Sequence, residues 1–474
     1  LAAAIRLHCA GFEVDVFESN AFVGGKINSK NYGAYRFDMG PSVFTAPEYV
    51  KELYDLCGED FSTFKYEKLD TSFHYFYPDG TNFVLSADHA TLTKQLATQF
   101  GEEESAIKKY LTKSAGNYTH ISPLFIEKSL HRFGHIFGKN LFKALWRIPK
   151  YKLFTTMHEE NAKTFRNPKT VQFFDRYATY NGSDPYQAPA MLNMIAHLEL
   201  NVGAYLPEKG MVQITQSLYE LAKKRGVRFH FEEKVEKILT ENHKIVGIST
   251  SKGTYKADVC MSNMDVALTY ERLMPQEKQP TKILAQEKSS SAVVFYWGIK
   301  KEFPQLGVHN IMFAENYKAE FDAIFVDKKL YPDPTIYINI TSKRVKGDAP
   351  EGGENWFVMV NAPTLNGQDW QKAIPELRQR LVEKINKTLQ TNIEDYIETE
   401  DKMTPENIAD WYSTKAGSIY GNASNNKYAA FYRHANFSKR VKGLYFVGVT
   451  VHPGGGIPLA LNSAKIAVKC LQED

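Results

Sequence analysis

The chain has 474 residues, enough for two or three domains around a large apolar core. With 58 Lys and Arg against 54 Asp and Glu, the net charge of +4 is too even for a nucleic-acid-binding protein, so any basic surface must be local. The four cysteines, Cys9, Cys57, Cys260 and Cys470, form no CxxC pair. That argues against a zinc site and a disulfide scaffold, fits a reduced, cytoplasmic setting, and leaves no metal expected. No apolar run approaches the roughly 20 residues that span a bilayer.

In chain order, LAAAIRLHC predicts a helix from Leu1 to Cys9 that stops at Ala10-Gly11, and Phe12 to Phe17 alternates as a strand ending at Glu18. In a dinucleotide-binding βαβ unit a strand and a glycine-rich loop precede such a helix. An acidic residue closes the second strand and holds the ribose hydroxyls. Glu18 stands where that residue belongs, with Ser19 beside it. A helix opening with no cap and no sheet partner implies that about 10 to 20 residues, carrying the first strand and the G-x-G-x-x-G loop, precede Leu1. The paired glycines Gly24-Gly25 allow backbone to approach a pyrophosphate, and Lys26 adds positive charge. Met39-Gly40-Pro41-Ser42 is a second turn with backbone groups open to a planar ligand.

The run Thr91 to Asn167 reads as a helical cap. From Lys128 to Met157 it contains no Asp or Glu. At helical spacing Phe133, Phe137, Leu141, Leu145 and Ile148 share one face, and Lys139, Lys143, Arg147 and Lys150 the adjacent one, with Trp146 near the boundary. Such a helix, about residues 131–148, suits an anionic bilayer interface, and equally a cap packed on the core. In RYATYNGSDPYQAPAMLNMIAHLELNVGAYLP, His197 and Glu199 are the polar residues of an apolar segment. Glu199 is the candidate side-chain base, although most such groups are satisfied structural residues. Tyr177, Tyr180 and Tyr186 suit a substrate channel or a core.

Strands follow at Val227–Phe231, Val235–Leu239, Lys244–Thr250, Thr254–Lys256 and Val259–Ser262. A further set at Ala292–Gly298, Thr335–Ile340 and Trp356–Val360 is enough for a second sheet. Near the C-terminus, Leu444 to Val451 reads as a buried strand and Leu459 to Leu471 as a helix with Pro458 in its first turn. Between them Gly454, Gly455 and Gly456 clear the backbone for something flat, and the helix start favours negative charge there.

The order E-x5-GG[RK], F-D-x-GPS, ADVCMSN, TPEN…GSIYG and LYFVGVTVHPGGGIPLALNSAK resembles the bacterial-type carotenoid desaturases. That family includes phytoene desaturase and lies within the amine-oxidase-like FAD enzymes. The resemblance runs from Leu1 to Cys470, and HPG-x-GIP is its most specific part. Three departures stand out: the fingerprint loop is absent, Lys26 replaces the family's usual Arg, and Thr450-Val451 replaces its usual Gly-Thr. The resemblance implies an α/β fold with a Rossmann-like FAD-binding domain in three pieces, 1–71, 207–288 and 402–474. A sheet-and-helix substrate domain with a helical cap would take 72–206 and 289–401. It implies FAD held by Glu18, Ser19, Gly24, Gly25, Lys26, Gly40, Pro41 and Ser42, by Val235 at the adenine and Asn263 near the pyrophosphate. Gly448, Val449, Gly455, Gly456, Ile457 and Pro458 complete the set.

It further implies a carotenoid substrate, hydride transfer to the flavin, and cytoplasmic protein attached peripherally to a membrane. The final electron acceptor stays open. The run YATYNGSDPYQAPAMLNMI most resembles desaturases acting on hydroxylated carotenoids at the 3,4 position, with phytoene desaturase the alternative. A carotenoid oxygenase or ketolase on the same fold and a non-catalytic prenyl-lipid carrier resembling the GDP-dissociation inhibitors are the other readings.

Overall fold

The computed structural model describes residues 1–132, 134, 152, 154–426 and 432–474. Its largest sheet has seven strands, in the order Ile397–Met403, Ser291–Ile299, Glu354–Ala362, Ile336–Ile340, His309–Met312, Thr71–Phe76 and Asn82–Ser86. All neighbours are antiparallel except His309–Met312 with Thr71–Phe76. The run SAVVFYWGI is apolar throughout because both of its faces are buried. Val293, Phe295, Trp297 and Ile299 pack toward the helix Trp370–Leu389 through Leu377, Leu381 and Ile385. Val294 and Tyr296 face the other way, onto Tyr35, Phe37 and Met39.

Smaller sheets surround a helical layer. Asp15–Phe17 pairs parallel with Arg228–His230, and Cys260–Ser262 parallel with Leu444–Phe446. Val235–Glu241, Lys244–Thr250 and Thr254–Lys256 form an antiparallel three-stranded sheet. The helices Ala2–Cys9, Glu48–Cys57, Val212–Arg225 and Ile457–Gln472 share one apolar cluster with Ile5, Leu53, Leu218 and Ala464 at its centre.

The expected elements differ most at the C-terminal strand and in the cap, while the strand expected at Phe12–Phe17 is confined to Asp15–Phe17. The C-terminal strand ends at Phe446 rather than Val451, because the backbone turns away at Gly448, with φ +105°, to pass over Asn263. Among the described residues the cap includes the helices His89–Phe100, Glu104–Ile121 and Met157–Thr164, the first break falling at Gly101 in the left-handed conformation. The stripe expected at about 131–148 lies outside the described residues, His131, Arg132 and Gly134 excepted. Among the described residues no helix is long and apolar enough to cross a membrane.

Candidate active site

A cavity of about 1760 Å³ runs from the parallel strands to the seven-stranded sheet. Glu18, Ser19, Gly24, Gly25, Lys26, Gly40, Pro41, Ser42, Val235, Asn263, Gly448, Val449, Gly455, Gly456, Ile457 and Pro458 all line it. Glu199 does not. The strand Asp15–Phe17 delivers Glu18 to the wall, where Oε1 accepts hydrogen bonds from the backbone N–H and Nδ2 of Asn20, both at 2.9 Å, and from Ser19 Oγ at 3.3 Å. These bonds orient the carboxylate and leave Oε2 to accept from a ligand.

The glycines divide into two kinds. A Cβ on Gly24 would lie 2.4 Å from the Ile27 carbonyl oxygen and one on Gly40 2.0 Å from that of Lys26, so both serve close packing of the loop. A Cβ on Gly25 would meet no atom within 4 Å. The C-terminal triplet corrects the expectation that all three glycines clear one flat face. Gly454 makes room for the Arg433 guanidinium at 3.0 Å and Gly455 for the Tyr420 ring at 2.5 Å, while only Gly456 meets nothing within 4 Å. Gly456, with φ +106°, precedes the helix Ile457–Gln472, whose first N–H groups are unpaired within the helix.

Elsewhere on the wall, Asn263 donates from Nδ2 to the Val447 carbonyl at 3.2 Å, and Val235 begins its strand. Ser42 Oγ and Tyr337 Oη are 2.7 Å apart, and Tyr337 continues to His309 Nδ1 at 2.8 Å. Burial and the nearby Arg176 push the His309 imidazole down to about 3, so it is neutral. Arg433, absent from the sequence-based set, donates to the Asn422 carbonyl at 2.9 Å and to those of Tyr420 and Val449 at 3.4 Å. Its burial lowers it to about 10. No local pattern marks it, because its partners are carbonyls brought in by the fold.

Glu199 is corrected from candidate base to buried counter-ion. Its side chain is 0% exposed and accepts from Arg176 Nη2 at 2.8 and 3.1 Å, from Tyr177 Oη at 2.8 Å and from Tyr180 Oη. With its oxygens occupied and the cavity wall formed by Arg176 and Tyr180 in front of it, it cannot reach a substrate proton. Of the three tyrosines, Tyr180 is on the wall, Tyr177 is fully buried behind it, and Tyr186 packs at a tilt against His158 with ring centroids 4.4 Å apart.

The family model described as flavin containing amine oxidoreductase matches residues 1–472. The chain is 50% identical to a 1-hydroxycarotenoid 3,4-desaturase of a Flavobacterium species, over 98% of this chain and 95% of that one. It is 30% identical to a 4,4'-diaponeurosporene oxygenase of Staphylococcus aureus, over 99% and 95%. Among solved structures, cyclohexylamine oxidase from Brevibacterium oxydans superposes with a TM-score of 0.61 at 12% identity, covering 100% of this chain and 96% of that one. The chain belongs to the flavin-containing amine oxidoreductases. It is an FAD-dependent oxidoreductase with that family's two-domain α/β architecture.

The wall fits FAD: an acid at the end of a strand, two glycines without neighbours, a helix start and a cation occur along one cavity. When bound, FAD accepts a hydride from the substrate. Lys26 donates to the Ile419 carbonyl at 2.6 Å. Burial pushes its ammonium from 10.5 down to about 8, with Asp265 drawing it partly back.

The wall bears on two measurable properties, flavin retention and the pH dependence of binding. Glu18→Ala should lower FAD affinity about ten- to a hundredfold, the effect of losing one charge-assisted hydrogen bond. Gly456→Val should give folded protein depleted of flavin, as read by absorbance after gel filtration; full flavin content in both variants would remove these residues from the site. The second concerns Lys26. Between about 8 and 10.5 the unfolded chain holds this proton longer than the apoprotein does, so folding gains stability as pH rises through that window. FAD binding should run the opposite way, weakening over the same window, because pyrophosphate charge favours the protonated ammonium. Lys26→Met should flatten that slope in a flavin-fluorescence titration, and an unchanged slope would show that another group titrates.

Proposed function

We propose that this oxidoreductase is a carotenoid desaturase acting on a hydroxylated carotenoid at the 3,4 bond. The observation that carries the reading is the 50% identity, over 98% of the chain, to a protein of that named activity. The cavity agrees chemically: beyond Gly456 its wall includes Ile121, Phe125, Met191, Met194 and Leu198, an apolar arm suited to a polyene. Desaturation removes two hydrogens from adjacent carbons, one as hydride and one as a proton. The residues of this chain hold the polyene in place and exclude water, and the helix start at Ile457 favours negative charge beside the ring site. We further infer the division in which 1–71, 207–288 and 402–474 hold FAD and 72–206 with 289–401 shape the substrate end. A second reading, an oxygenase on the same fold, is supported by the 30% identity to the diaponeurosporene oxygenase.

Incubation with acyclic, monocyclic and hydroxylated carotenes should shift the absorbance of a hydroxylated substrate to the red as conjugation lengthens, without oxygen incorporation detectable by mass. A red shift with phytoene alone would assign the earlier desaturation, and a mass gain of oxygen the oxygenase.

Carotenoids dissolve in bilayers rather than water, and we propose peripheral attachment through about 131–148. Each Lys or Arg near an anionic surface contributes about 1 kcal/mol. Reversing Lys139, Lys143 and Arg147 to Glu should abolish co-sedimentation with anionic vesicles, and high salt should weaken it in the parent. Undiminished binding by the triple variant would place the entry surface elsewhere.

A further inference from the structure

We propose that Asn181, supported by Ser424, recognises the hydroxyl group of the substrate beside the reacting carbons. The inference rests on the hydroxylated-carotenoid reading above. Asn181 lines the cavity, is 9% exposed, and has no hydrogen-bond partner for Oδ1 among the described residues. Its Nδ2 makes one long bond, 3.4 Å, to Ser424 Oγ, and Ser424 is itself buried on the cavity wall. A buried amide with one end unpaired is costly unless a ligand completes it. In either amide orientation one end stays free, and a hydroxyl can both donate and accept, so it satisfies that end whichever it is.

Several other polar groups of the wall are already used. Thr179 Oγ1 donates to the Arg176 carbonyl, Ser42 pairs with Tyr337, and Thr335 Oγ1 donates to Glu320. Arg176 Nε is also unpaired, but the guanidinium lies against the rings of Phe73, Tyr75, Tyr177 and Tyr180 and is neutralised by Glu199.

Position supports the assignment. The backbone just after Asn181 touches Tyr420: a Cβ on Gly182 would lie 2.9 Å from that ring, whose other edge packs on Gly455. Asn181 is therefore about one aromatic ring from the glycine loop. In a carotenoid hydroxylated at carbon 1 and desaturated between carbons 3 and 4, only carbon 2 separates the hydroxyl carbon from the reacting bond. A group that binds this hydroxyl must lie close to the reacting bond, and Asn181 precedes the glycine that packs on the Tyr420 ring beside the glycine loop.

The test is the ratio of kcat/KM for a 1-hydroxycarotenoid to that for the same carotenoid lacking the hydroxyl, measured on FAD-loaded parent and variants. Asn181→Leu should reduce the parent's preference for the hydroxylated substrate about ten- to a hundredfold, since a site built around a hydroxyl discriminates by at least that much. Ser424→Ala should remove a smaller part of it. Flavin absorbance and melting temperature check folding; should Asn181→Leu not fold, the same ratio from Asn181→Ser, predicted to fall less, decides. A folded Asn181 variant with the parent's preference overturns the assignment while leaving the substrate reading intact. A parent with no preference for the hydroxylated substrate overturns both.

Discussion

The site depends on the packing of the Tyr420 ring between two glycines. Gly455 from the C-terminal loop and Gly182 from the substrate end approach it so closely that a Cβ on either would fall 2.5 or 2.9 Å from a ring carbon. Any side chain would drive apart the two walls that make the cavity continuous. Arg433 secures the same contact, its guanidinium meeting carbonyls of Tyr420, Asn422 and Val449. This buried cation, with no carboxylate partner among the described residues, persists because three oriented carbonyl dipoles replace its hydration.

Two charge networks hold the elements around the cavity. At the substrate end Arg176 and Glu199 form a pair enclosed by aromatic rings. Such a pair adds little net stability, yet removing one partner leaves a buried charge and costs about 3–5 kcal/mol, so it holds the wall in one arrangement. Elsewhere, Arg36 bridges Asp38 and Asp348, while Asp38 accepts the N–H groups of Met211 at 2.8 Å and Val212 at 3.2 Å. The Asp of the F-D-x-GPS motif thus anchors the start of the helix Val212–Arg225, and the glycine turn after it reaches the ligand wall as a consequence.

The cofactor end was legible because its signals are local and compositional. An acid at a strand end and runs of glycine reflect backbone approach, which no other residue type permits. Strands such as Lys244–Thr250 and Thr254–Lys256 match their pattern residue for residue, since hairpin pairing is short-range. The substrate end was less legible. Glu199 reads as a base in an apolar run only until Arg176, Tyr177 and Tyr180 close around it, and the free amide of Asn181 is visible only once Ser424, 243 positions away, is its neighbour.

The sequence by itself determined the α/β class, the flavin-family membership and a set of residues that line one cavity, because periodicity and glycine placement record the backbone's own constraints. Tertiary structure alone decided which of those glycines face open space and which merely clear Tyr420, Arg433 or Lys26. It also decided that Glu199 is a counter-ion and that Asn181 Oδ1 has no partner among the described residues. The physical reason is that burial and hydrogen-bond satisfaction belong to pairs of groups brought together by folding, and neither partner carries a local mark of the other.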